Sequence, residues 1–194
     1  MISRVIANHP KGAEQCVSTH HDPEFHIYDP PLSPPDAEGK VKRQPCTRRE
    51  GAPQPNDFAV GNQTAQPVHL VAIDACLYDS GDATRCDCAL IQAEDIRFVE
   101  FSHGNFRRRS QRVEKCIPQL AATINDFYQY GIITEGTVVQ AFICVGFTDE
   151  FPPQNASLDA RKAQLNLLVK ANVAVELYVT DQTIFTDGVV ESHS

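Results

Sequence analysis

A chain of 194 residues, 42% hydrophobic and 22% charged, carries enough apolar material for one globular core with an extension. The formal net charge of −8 argues against a protein that coats nucleic acid over its whole surface, because phosphates would repel it. No apolar run approaches the roughly 18–20 residues that span a bilayer, and the opening MISRVIANHPKG lacks the continuous apolar stretch of a secretory signal.

Ten of the thirteen prolines fall in the first 67 residues. Proline has no amide donor and excludes the helical basin for its predecessor, so regular structure should not propagate through such a density. Residues 1–66 therefore read as a disordered or extended arm. From Val68 the pattern changes. Residues 68–77 read as a strand, 78–84 as a turn, 85–92 as a second strand and 95–102 as a third. The tight connections predict an antiparallel meander. Val113, Ile117, Leu120, Ile124 and Phe127 recur at steps of four and three and predict a helix that stops at Gly131, with Pro118 a kink or an irregular start. Residues 137–147 are apolar on both faces, as a covered central strand should be. A second helix, capped by Asn155 or Ser157, runs to about Ala171 with Leu158, Leu165, Leu168 and Val169 inward. Residues 173–180 alternate and read as a half-exposed strand. The expectation is an α/β (α+β) domain over 67–182 with a mixed sheet flanked by helices, order β-β-β-α-β-α-β, and a tail over 183–194.

The seven cysteines, at 16, 46, 76, 86, 88, 116 and 144, are odd in number, irregularly spaced and without a CxxC pair. They read as small buried hydrophobes in a reducing, cytoplasmic setting. A zinc site from Cys16, His20, His21, His26 and Cys46 would lack the spacing of known modules. A Cys86 or Cys88 nucleophile with His103 would need an exposed thiol where strand position predicts a buried one.

Asp87 and Glu100 are carboxylates inside apolar strands, where an isolated charge is costly and has a partner as a rule. Neighbouring antiparallel strands can bring them to one end of the sheet, where two hard oxygen ligands could hold Mg²⁺. Arg85-Cys-Asp87-Cys-Ala-Leu-Ile, Phe98-Val-Glu100-Phe-Ser102 and the helix with Gln119-Leu120 together resemble the core of the PD-(D/E)XK, or restriction-endonuclease-like, superfamily. The resemblance implies a restriction-endonuclease-like fold with metal held by Asp87 and Glu100. Ser102 stands where its pattern has a lysine, a residue that would orient water and stabilise charge developing on phosphate. Lys115, or Arg109, is the candidate replacement. The resemblance thus implies either a degenerate binding or accessory component, as in a bacterial defence or toxin-related assembly, or a Mg²⁺-dependent DNA endonuclease.

Arg107, Arg108, Arg109, Arg112 and Lys115 are half of the ten Lys and Arg from Val68 onward. Positive charge at a helix start opposes the macrodipole, so helix stability does not account for it. The cluster would suit phosphate or an acidic protein surface; Glu114 within it also suits a plain solvated face.

Overall fold

The computed structural model describes residues 1–11, 13–79, 85–102, 109–146, 155–170 and 172–187. Its elements are α1 (Ile2–Asn8), β1 (Val17–His20), β2 (Glu24–Tyr28), β3 (Thr47–Arg48), β4 (Phe58–Asn62), β5 (Val68–Ala72), β6 (Cys88–Gln92), β7 (Asp95–Phe101), α2 (Arg109–Gln129), β8 (Val138–Cys144), α3 (Asn155–Leu168), β9 (Ala174–Tyr178) and β10 (Gln182–Phe185). Two mixed sheets result, one of six strands in the order β1-β5-β6-β7-β8-β9 and one of four in the order β10-β4-β2-β3.

Alternation decides the layers. In β7, Ile96 and Phe98 point to one face, where Ile117, Leu120, Ile124 and Phe127 of α2 bury against them. Val99 and Phe101 point to the other, where Phe25, Ile27, Phe58, Val60 and Phe185 of the small sheet fill a second core. The large sheet is therefore covered on both sides, which its continuous apolar strands require. β5, β6 and β7 pair antiparallel in sequence order, whereas β7, β8 and β9 run parallel. α2 keeps its course through Pro118, and Gly131, at φ +66°, allows the turn after it. The seven elements expected between 68 and 180 all form, the strands generally trimmed at their ends.

Three expectations are corrected. Residues 1–66 are not a disordered arm: they supply α1 and β1–β4, with β1 extending the large sheet through Val17↔Val71 to His20↔Val68. None of the ten early prolines lies within a helix or strand, so each ends an element without breaking one. The unit does not stop at 182 either. β10 pairs parallel with β4, Phe185 is 1% exposed, and Arg97 of β7 donates to Thr183 Oγ1 at 2.5 Å and to the Ile184 carbonyl at 2.9 Å. The rest of the expected tail, 188–194, lies outside the described residues. Finally, Cys16 and Cys76 are joined in a disulfide across 60 positions, with the other five cysteines free and buried. The cysteines therefore give no support to a reducing compartment. No helix among the described residues is long and apolar enough to cross a membrane.

Candidate functional site: a buried carboxyl pair at the sheet end

Register explains why Asp87 and Glu100 meet. Cys88 of β6 pairs with Val99 of β7, so one step further Asp87 stands opposite Glu100. Directly opposed residues on adjacent strands have Cβ atoms about 4.5–5.5 Å apart and share a face. That face is the α2 side, at the end of the sheet where parallel β7 and β8 present their C-termini. This is where open α/β sheets bind ligands as a rule.

Each carboxyl is fixed by the local fold. The Phe101 amide donates to Asp87 Oδ2 at 2.7 Å. Gln119, on the same helix face as Cys116 and Thr123, donates to Glu100 Oε1. Asp87 and Glu100 are only 3% and 5% exposed. Burial, then the nearby Asp29 charge, pushes Asp87 up to about 7 against the opposing pull of the Phe101 amide. Burial, then the Asp87 charge, pushes Glu100 well above the usual carboxylate range. Glu100 Oε2 is buried and receives no hydrogen bond from any donor among the described residues. The Asp87 carboxyl beside Glu100 is an acceptor unless protonated, so contact between the two needs a shared proton or a cation.

The β2–β3 connection, the stretch expected to be disordered, reaches this end of the sheet through Asp74, whose amide donates to the Asp87 carbonyl at 3.2 Å. Asp29 and Arg43 lie in it, and Arg43 forms an ion pair with Asp74. Burial raises Asp29, with Arg43 opposing and Asp74 reinforcing the shift. Tyr28, Asp29, Arg43, Arg49, Gln54 and Asp57 are among the residues lining an open cavity of about 740 Å³ on the small sheet, which neither Asp87 nor Glu100 lines. Arg49 there is fully engaged, bidentate to Asp57 at 2.9 and 2.7 Å and 3.5 Å above the Tyr28 ring.

The other anticipated site residues separate. Lys115 is exposed on α2 and makes no hydrogen bond or ion pair with either carboxyl among the described residues. Arg112 is partly buried one turn before Cys116, and its backbone carbonyl accepts the Cys116 thiol at 3.1 Å. Arg107, Arg108 and the side chain of Arg109 lie outside the described residues, as does His103. The zinc arrangement loses Cys16 to its disulfide. Burial drives the Cys86 and Cys88 thiols well above their ordinary range, which makes them inert as nucleophiles. No group of three or more His, Cys, Asp or Glu among the described residues is arranged to hold a metal by itself. Asp29 and Arg43 were not legible as site residues: they are ordinary charges in a proline-rich stretch, and only tertiary pairing of β2 and β3 brings them here. No family model matches the chain, and no curated protein or solved structure matches it.

Proposed function

We propose that the Asp87–Glu100 pair is the cation site of a Mg²⁺-dependent phosphodiesterase acting on nucleic acid, on a restriction-endonuclease-like core. The observation that carries the reading is the orphaned Glu100 Oε2, buried beside a second carboxyl. Two hard oxygen donors suit Mg²⁺, which is commonly held by one or two protein carboxylates with water and substrate phosphate completing its shell. A bound cation would supply Lewis-acid charge and a more acidic water. The chain's own contributions are orientation and exclusion of solvent. Gln119 turns Glu100, the Phe101 amide turns Asp87, and the packed surroundings leave the two acids 5% and 3% exposed. The strand succession β5-β6-β7 antiparallel then β8 parallel, with the acids on β7 and just before β6, further supports this core.

A second reading rests on Ser102. It follows Glu100 by two positions, where the superfamily pattern has lysine, and a serine hydroxyl stabilises little charge on phosphate. In that reading the acids share a proton, and the protein is a binding or accessory component, as in a defence or toxin-related assembly.

The deciding measurement is cleavage of plasmid and single-stranded DNA with Mg²⁺ or Mn²⁺, comparing wild type with Glu100→Ala and the near-isosteric Glu100→Gln. Metal-dependent cleavage lost in both variants supports the hydrolase. Absence of cleavage by folded wild type, together with equal Mn²⁺ binding by all three, leaves only the accessory reading.

A further inference from the structure

Asp74 lies beside Asp87, its amide donating to the Asp87 carbonyl at 3.2 Å, Asp29 acts on both Asp87 and Glu100, and one cation among the described residues answers this group of acids. Arg43 acts attractively on Asp29, Asp87 and Glu100, and it is ion-paired with Asp74. No other basic side chain among the described residues figures among the main influences on those three acids. Lys115, the replacement expected on α2, faces solvent.

The geometry of Arg43 suits more than a counter-ion. A guanidinium carries five N–H donors in a planar fork. One of them is used on Asp74, and the rest meet no acceptor among the described residues. The side chain is 46% exposed and lines the cavity of about 740 Å³ together with Asp29. Arg49, on the same cavity, has its charge paired bidentate with Asp57 and its face against Tyr28. Planar, bidentate recognition of phosphate is what a half-free arginine does best.

We propose that Arg43 is the phosphate-binding cation of this site, holding a phosphodiester of a nucleic-acid strand in the cavity whose wall it shares with Asp29. The inference rests on the hydrolase reading and assigns to the β2–β3 connection the positive charge that position 102 lacks. It also gives a chain of net charge −8 a local way to meet a polyanion, since contact is made through one oriented fork and a bound cation rather than through overall attraction.

The test is binding of a short single-stranded oligonucleotide to the full chain, with Ca²⁺ replacing Mg²⁺ so that affinity is read without cleavage. Binding of Mn²⁺ alone is measured alongside. Arg43→Ala is expected to weaken oligonucleotide binding about tenfold or more, the worth of one charge-assisted contact. The slope of log affinity against log salt should fall by about 0.7, the signature of one lost phosphate contact on a single strand. Mn²⁺ affinity should stay the same or rise, because a neighbouring positive charge is gone. Arg43→Lys should recover most of the oligonucleotide affinity. Wild-type oligonucleotide affinity and salt slope in Arg43→Ala would overturn the assignment. So would a joint fall of oligonucleotide binding, Mn²⁺ binding and melting temperature, which would make Arg43 a structural residue. Equal Mn²⁺ binding by wild type and Glu100→Gln sinks the cation site itself, whatever Arg43→Ala does.

Discussion

Removing the Cys16–Cys76 bridge should destabilise the fold without dismantling it. The bond closes a loop of 60 positions, which on the chain-entropy relation restricts the unfolded state by about 4 kcal/mol. Measured values commonly fall below that ceiling, so the expected loss is about 2–4 kcal/mol for Cys16→Ser with Cys76→Ser, or for the reduced wild type. The native contacts around the bridge should survive, because Cys16 is 4% exposed just before β1 and β1 is held by four paired positions on β5. Urea denaturation followed by circular dichroism gives the stability, and the slope against urea should rise when the bridge is absent, since an unlinked chain exposes more surface on unfolding. Alkylation of the denatured, unreduced protein should label five thiols, matching the five free cysteines. Seven labelled thiols, or a stability change below about 0.5 kcal/mol with the bridge intact beforehand, would refute the reasoning.

Arg97→Met should cost about 2–4 kcal/mol, because Thr183 Oγ1 and the Ile184 carbonyl lose their donor and Phe185 loses the guanidinium 3.6 Å above its ring; denaturant melts and carboxypeptidase digestion of the C-terminal segment check it. Asp57→Asn should cost a comparable amount, since it leaves the Arg49 fork unpaired where hydrogen bonds from Arg49 and the Gln54 amide outweigh burial and hold the Asp57 carboxyl below its usual range; the loss should shrink as pH falls through that lowered value, where wild-type Asp57 also becomes neutral. His9 is buried with neither ring nitrogen partnered among the described residues, packed edge-on against Tyr78 and Tyr130. Burial lowers its pKa, Asp126 opposes and Lys11 assists, and the nearby Arg85 is paired with Asp126. A lowered folded value means the stability is whole above the unfolded value of about 6.5 and is lost as pH falls below it. His9→Phe should therefore flatten melting temperature between about pH 7 and 5.5 relative to wild type, and an unchanged difference across that window would sink the argument.

Periodicity carried the reading from Val68 to Thr180 because those elements are long enough to repeat. α2 spans 21 residues and shows its apolar stripe five times over. The N-terminal strands are too short for that. β2 and β4 have five residues each, and their signal is Phe25/Ile27 and Phe58/Val60, one alternation apiece. Proline density masked them, although each of the ten early prolines falls between elements. β4 is also completed by β10, more than a hundred positions away, a pairing no local pattern announces. At the site, Asp87 and Glu100 were legible because a charge amid Cys, Ala, Phe and Val is anomalous. Arg43 was not, because an arginine between Lys42 and Gln44 in a polar stretch is ordinary. Lys115 stands one helical turn before Gln119, close to the acids as the sequence suggests, and its side chain is exposed.

The carboxyl pair is a cost the fold had ways to avoid. Replacing one acid by an apolar residue of like volume would remove a buried, imperfectly satisfied polar group, a change that is neutral or stabilising in many proteins. Sequences otherwise agree with their folds at every level, and the places where they do not are where function or strain is expected. In β6 and β7 the other buried polar side chains, Gln92 and Arg97, find partners in Asn62, Gln66, Thr183 and Ile184, and the exception left is Asp87 and Glu100, opposed across one register step. The surroundings are also arranged around that exception. One amide and one Gln119 donor orient the two acids while leaving Glu100 Oε2 open, and Arg43 supplies charge from the β2–β3 connection with most of its donors unspent. A merely structural pair would be expected to close that last oxygen with a donor, as the interior does for both oxygens of buried Asp57 through Arg49 and the Gln54 amide. The contrast between Asp57, closed, and Glu100, open, is the physical reason to look for a cation at the second and not at the first.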